Sequence, residues 1–201
     1  MTDRLNRAFY RRHVVRVARA LLGQRLVRVV EGERLAGLIV EVEAYLGVRD
    51  RAAHTYNGRR TPRNASMWGD GGYAYVYFTY GLHHCLNVVA GGREQPVAVL
   101  IRALEPVQGQ KQMRQHRTQA LRETDLCSGP AKLCQAMRID RGLDGCNLVA
   151  GDRLCIEKVR SRAFPSRMVV VRPRVGVGYA GDWAARPLRF FLKDNPHVSR
   201  R

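Results

Sequence analysis

"YAYVYFTYGLHHCLNVVA", Tyr73 to Ala90, decides how the rest of the chain is read. Aromatic and β-branched residues favour strands. Tyr73, Tyr75 and Tyr77 share one parity, and Ala74, Val76 and Phe78 share the other, so a strand would send them to opposite faces. Tyr80 breaks the alternation beside Gly81, which supplies a turn, and "HHCLNVVA" returns as a second strand. The three in-phase rings suit either sheet packing or a wall for a flat ligand. Asn87 lies among apolar neighbours. A buried amide without partners costs about 1–3 kcal/mol, so it either bonds a turn backbone or offers its donor and acceptor to a base edge.

Working outward, "FYRRHVVRVARALLG" carries a helical apolar stripe at Val14, Val17, Ala18, Leu21 and Leu22, stopped by Gly23. Two strands follow around Glu31-Gly32-Glu33. "VRDRAAHTYNGRRTPRNASMWGDGG" is a polar loop of about 25 residues, a length that is uncommon inside a domain and often functional. "PVAVLIRALEP" reads as a strand ended by Pro106, and "GQKQMRQHRTQALRE" as a basic helix. "CSGPAKLCQAMRI" reads as a helix capped by Ser128, with Pro130 in its first turn. "GDRLCIEKV", "RMVVVRPRV" and "PLRFFLKD" read as short strands. The expected fold class is α+β: one mixed domain over residues 1–201, with a curved, mostly antiparallel β-sheet and flanking helices.

The formal charge is +18 over 201 residues, and the sequence pI is about 10.8. Folding gains nothing from such self-repulsion, so a polyanion, nucleic acid first, is the expected partner. A GC-rich genome that encodes arginine freely is the bland alternative. The charge recurs along the chain rather than in one tail, so a folded surface must carry it. No run of about 18 apolar residues suggests a membrane span. The N-terminal stretch is too charged for a secretion signal; being Arg-rich and amphipathic it is either a transit peptide or, as its apolar spacing favours, an ordinary first helix, so a cytoplasmic location is expected, at the nucleoid in a bacterium. The five cysteines form no C-x-x-C pair and no zinc spacing. They read as reduced thiols of the core, and neither a metal nor another cofactor is expected.

Chemistry gathers in three places. In "VEVEAYLG", Glu41 and Glu43 share a strand face, and Tyr45 has their parity. Either they are a solvent-facing pair on an edge strand, or one is a carboxylate that activates water, its neighbour or an arginine setting its pKa. In "AAHTYNGRRTPRN", His54 is either merely exposed or part of a site whose rim, with Arg59, Arg60, Arg63 and Asn64, suits phosphates. Tyr80, at a hairpin tip, has no core to fill and reads as a wedge between bases or a partner-docking ring.

Together "VEVEAYLG", "AAHTYNGRRTPRN", "YVYFTYGLHHCLN", "LIRALEP", "LCSGPAKLCQAM" and "VGVGYAGDWAARPLRFFL" closely resemble the alkyladenine (3-methyladenine) DNA glycosylase family, from about Leu21 to Val198. The resemblance implies a single mixed domain with a protruding β-hairpin. It implies that Glu43 is a general base activating water, with Arg102 beside it. Tyr45, His54 and Tyr77 would wall the base pocket, and Asn87 would crowd the 2-amino group of normal guanine. Tyr80, with Leu82 next to it, would enter the DNA stack. Lys132, at a helix start, would meet a phosphate. The implied partner is double-stranded DNA containing damaged purines: 3-methyladenine, 7-methylguanine, hypoxanthine or ethenoadenine. A monomer is expected.

Leu82 stands where mammalian members carry methionine, His83 and His84 follow it, and the long N-terminal extension of those members is not expected here. A lyase would need an amine. The four lysines, Lys111, Lys132, Lys158 and Lys193, lie outside the Glu43, Tyr77 and Asn87 segments, so base removal alone is expected. The rival readings are a non-enzymatic binder of distorted DNA or structured RNA, and an RNA-modifying enzyme.

Overall fold

The two acidic residues of "VEVEAY" lie near the C-terminal end of the longest strand, flanked by other strands on both sides. The computed structural model describes residues 3–201. Two short helices, α1 (Arg7–Tyr10) and α2 (Val14–Leu21), precede β1 (Arg25–Val30) and β2 (Glu33–Tyr45). Then come β3 (Ala74–Thr79), β4 (His83–Ala90) and β5 (Val97–Gln108), and after them α3 (Gln110–His116) and α4 (Pro130–Ala136). Three short strands finish the sheet: β6 (Leu154–Glu157), β7 (Val169–Arg172) and β8 (Arg189–Leu192). The eight strands form one curled sheet of order β3-β4-β5-β2-β1-β6, with β8 on β2 and β7 on β8, and the named pairs are all antiparallel. The fold class is the α+β class expected.

Alternation divides the sheet into two faces. Val42, Ala74, Val76, Leu86, Val88, Val99 and Ile101 join the main core with Val14, Val17, Ala18 and Leu21 of α2 and Leu133 and Cys134 of α4. The opposite face carries Tyr75, Val89, Ala98 and Met67, and beside them the polar residues of the site. On that face Tyr75 pairs with Asn87, Asn87 with Leu100, Leu100 with Glu43, and Glu43 with Arg189, one rung across five strands.

Several local expectations need correction. β2 is not an edge strand: β5 flanks one side, and β1 and then β8 flank the other, so both acids are fully buried. β5 does not stop at Pro106 but continues to Gln108. The imide is tolerated because it falls at a register shift, opposite Gly37. The basic helix ends at His116, because Arg117 leaves helical geometry (φ −135°, ψ 69°) and turns inward towards the Leu126 carbonyl. Gly129, not Ser128, precedes α4 as its cap, and Ser128 bridges to Ala103 instead. The long loop is not structureless. It folds into 3-10 turns at Gly47–Arg49, Tyr56–Gly58 and Ala65–Trp68.

The β3–β4 hairpin projects beyond the sheet. Leu82 N donates to Thr79 O (3.2 Å), and both residues between them have positive φ, Tyr80 at 52° and Gly81 at 64°. Positive φ at both central residues suits a primed hairpin turn. The tip presents Tyr80 at 87% exposure and Leu82 at 75%.

Candidate active site

A cavity of about 330 Å³ opens on the polar face of the sheet, at the foot of the hairpin. That is the small end of the range for ligand pockets. Its walls include Tyr45, His54, Tyr77, Asn87 and Arg102, and Tyr80 stands at its mouth. The structure thus brings together six of the residues singled out from the sequence.

The rings form a nearly continuous wall. His54 meets Tyr77 edge to face, with centroids 4.6 Å apart, and Tyr75 lies 5.4 Å from Tyr77 at a tilt of 30°. The sequence left Tyr73 and Tyr75 between sheet packing and a ligand wall, and the resemblance gave a pocket role to Tyr77 alone of the three. Tyr73 does pack under the Arg7 guanidinium, but Tyr75 lines the cavity, and its hydroxyl is 2.8 Å from His54 Nδ1. Its shared parity with Tyr77 was the available signal.

Asn64, assigned to the rim, is buried instead. Its side chain donates to the carbonyls of His54 and Arg59 and accepts from Thr61 N, so it holds the loop in shape. Arg59 and Arg63 are exposed near the mouth. Arg63 also reaches the Phe78 carbonyl (2.8 Å), tying the loop to the hairpin. Lys132 is exposed, two residues after Pro130, which lines the cavity. Asn87 donates to Tyr75 O across the strand pair (3.2 Å).

Glu43 lies one layer behind the cavity wall. Its Oε1 accepts from Val175 N (2.7 Å) and lies 3.1 Å from Arg102 Nη1, and its Oε2 accepts from the Tyr45 hydroxyl (2.9 Å). All three partners line the cavity. Burial pushes the Glu43 carboxyl up, while Arg102, the Val175 amide and the Tyr45 hydroxyl pull it back down.

Arg102 has the parity of Leu100, which pairs with Glu43, so alternation along β5 sends it to the face of the two acids. Glu41 pairs with Ala103 and Val42 with Ile101, so Arg102 is the extra residue of a β-bulge and has no direct partner on β2. Behind Tyr45, Arg174 pairs with Asp50 in a fully buried bridge and lies 4.6 Å from the Tyr45 ring centroid. Neither Arg174 nor Asp50, nor Val175, Val177 and Tyr179 of the wall, stood out in the sequence. Val175, Val177 and Tyr179 lie within the quoted stretch "VGVGYAGDWAARPLRFFL", directly after Arg174, but no role attached to them, and Asp50 sits 124 residues from Arg174.

His54 titrates at about 4, below the ordinary 6.5, because burial and then the Arg63 and Arg59 charges disfavour its cation. The ring is therefore neutral near pH 7. The folded state binds this proton less tightly than the unfolded one, so stability is complete above pH 6.5 and falls as pH drops towards 4. The urea midpoint is expected to decline across that window, and His54→Gln to flatten the decline. An identical slope in both proteins would refute this assignment.

Residues 8–196 match the profile of the methylpurine-DNA glycosylase (MPG) family. The chain is 44% identical to mouse DNA-3-methyladenine glycosylase over 207 residues, covering 98% of this chain and 62% of the mouse protein. It is 45% identical to the human protein of the same name, covering 98% and 68% of the respective chains. A candidate 3-methyladenine DNA glycosylase of Methanocella arvoryzae is 45% identical, with 98% of this chain and 96% of that protein covered. The chain thus spans less than two thirds of the mouse relative. It belongs to the methylpurine-DNA glycosylase family, a family of N-glycosyl hydrolases.

Proposed function

We propose that the protein excises alkylated or deaminated purines from duplex DNA: 3-methyladenine, 7-methylguanine, hypoxanthine and ethenoadenine. The observation that supports this most directly is the buried Glu43, bonded to three groups that line a ring-walled cavity below an exposed hairpin tip.

A base in a duplex hides its glycosidic bond, and turning the nucleotide out costs a few kcal/mol. Tyr80 offsets part of that cost by filling the gap, with Leu82 beside it. Arg59, Arg63 and Lys132 meet the backbone phosphates. The flipped purine stacks among Tyr45, His54 and Tyr77, and a cationic base gains about 0.5–2 kcal/mol more from the ring faces. Asn87 crowds the 2-amino group of ordinary guanine. Glu43, ionised and backed by Arg102, takes a proton from the water that attacks C1′ and stabilises the oxocarbenium-like transition state. Among the described residues no lysine lines the cavity, so no amine is at hand for a Schiff base, and the product is an intact strand with an abasic site. The enzyme acts as a monomer where DNA is found. No helix among the described residues is long and apolar enough to cross a membrane.

The test is a panel of DNA duplexes, each with one lesion, and matching RNA duplexes, assayed for released base and strand cleavage. Release from one or more of the DNA lesions, with an uncleaved strand, is expected. Release from none of them, or preferential action on RNA, would overturn the reading.

A further inference from the structure

Glu41 is fully buried, two residues from Glu43 on the same strand face, and it does not line the cavity. A second buried carboxylate beside a general base is costly unless something holds it. Here Glu41 Oε1 accepts from Arg102 Nε (3.0 Å) and Arg189 Nη1 (2.9 Å), and Oε2 accepts from Ser199 N (2.7 Å).

Arg102 divides its three nitrogens among three partners: Nε to Glu41, Nη1 to Glu43 (3.1 Å) and Nη2 to Ser199 Oγ (3.2 Å). Arg189 is held in turn by the carbonyls of Pro173 (3.0 Å) and Arg200 (2.6 Å). Two acids and two arginines therefore balance, and the C-terminal residues Ser199 and Arg200 close the cluster on the side away from Glu43.

Because Arg102 sits on a bulge, the β5 ladder fixes its backbone less firmly, and the orientation of its guanidinium depends on these partners. We propose that Glu41, braced by Arg189 and Ser199, is the positioning residue that aims Arg102 at Glu43 during base excision. The inference rests on the excision activity proposed above.

A purely structural ion cluster and a positioning cluster differ in one measurable respect. Around Glu43 the charged and titratable groups are Arg102 of β5, Glu41 and Tyr45 of β2, Tyr77 of β3, Cys85 of β4, Arg189 of β8, and Arg174 and Tyr179 of the segment after β7. Among these Glu41 is the neighbouring carboxylate, and its charge adds to the upward push of burial on Glu43. Glu41→Gln keeps the shape and removes that charge. Loss of the Glu41 charge by itself lets Glu43 ionise at lower pH, whereas an Arg102 that swings away from Glu43 removes the larger lowering influence and makes it ionise at higher pH.

The experiment measures single-turnover base release against pH, and lesion-duplex affinity, for the wild type, Glu41→Gln and Ser199→Pro. Proline at 199 removes both the amide that holds Glu41 and the hydroxyl that holds Arg102, while leaving all four charges. For Glu41→Gln, release about 10- to 100-fold slower is expected, since small misplacements cost that much, with the acid limb moved to higher pH as Arg102 leaves Glu43. For Ser199→Pro, release about tenfold slower with unchanged duplex affinity is expected. Wild-type release and an unmoved acid limb in both variants would overturn the proposal. So would a Glu41→Gln limb that is unmoved or moved to lower pH beside wild-type release by Ser199→Pro. If Glu41→Gln fails to fold, Ser199→Pro decides alone: slow release at unchanged affinity supports the proposal, and wild-type release overturns it. A wild type that releases base normally while both variants match it condemns this inference only. A wild type inert on every lesion condemns the excision reading, and this inference with it.

Discussion

Replacing Glu43 by Gln is expected to slow base release by about 10²- to 10⁴-fold, the usual contribution of a positioned general base, with lesion-duplex affinity within about twofold of wild type. The fold tolerates this change better than most losses of a buried charge. Removing one member of a buried ion pair commonly costs about 3–5 kcal/mol because its partner is stranded. Arg102 is not stranded, since Glu41 still accepts from its Nε at 3.0 Å. The amide oxygen of Gln can take over the Val175 and Arg102 contacts, and the Tyr45 hydroxyl can rotate to accept from the amide nitrogen. Glu43 must be ionised to act, so wild-type release should fall as pH drops through a carboxyl value that burial has raised. The variant should lose that acid limb along with its rate. The same substitution separates the leading reading from a non-enzymatic binder of distorted DNA. A glycosylase loses turnover and keeps affinity, whereas a binder has no turnover to lose. Hypoxanthine released by Glu43→Gln at the wild-type rate would refute the assignment of the base.

The parts of this site that alternation alone made legible lie within one strand at a time, whereas the pocket roles of His54, Asn87 and Arg102 came from the family resemblance. Parity within β2 put Glu41, Glu43 and Tyr45 on one face, and parity within β3 separated Tyr77 from Tyr80. The missing parts depend on two segments at once. The bulge that leaves Arg102 without a partner on β2 exists only as a mismatch between β5 and β2, and nothing in "LIRALEP" encodes it alone. The same holds for Pro106, whose effect depended on the register opposite Gly37. The Arg174–Asp50 bridge joins residues 124 apart, and the Ser199 amide reaches Glu41 from 158 residues away. Charge pairing across such distances leaves no local trace. Asn64 misled for a related reason. A polar residue in a basic loop resembles a phosphate contact until the loop's own carbonyls are counted as its partners.

Tyr80→Gly is expected to leave stability within about 1 kcal/mol of wild type and to weaken binding to a lesion or abasic duplex about 10- to 100-fold. Tyr80 has φ 52° and 87% exposure. A bulky residue held at positive φ stores about 1–3 kcal/mol, and glycine releases that strain. Glycine also gives the unfolded chain more freedom, which costs about 0.5–1 kcal/mol. The two effects oppose each other, and so exposed a ring contributes little packing. The fold has no use for a tyrosine here, and a sequence selected for stability alone would place Asn or Gly beside Gly81. The strain points instead to the surface the ring meets. Stacking of an aromatic ring on a base is worth about 1–3 kcal/mol, which converts to the loss of affinity expected. Tyr77 provides the contrast. It is partly buried, in contact with His54 and Tyr75, so truncating it would damage wall and fold together. Thermal unfolding and binding titrations on the same Tyr80→Gly sample separate the two effects. Affinity for an abasic duplex equal to that of the wild type would show that the ring does not enter the stack, whatever happened to the melting temperature.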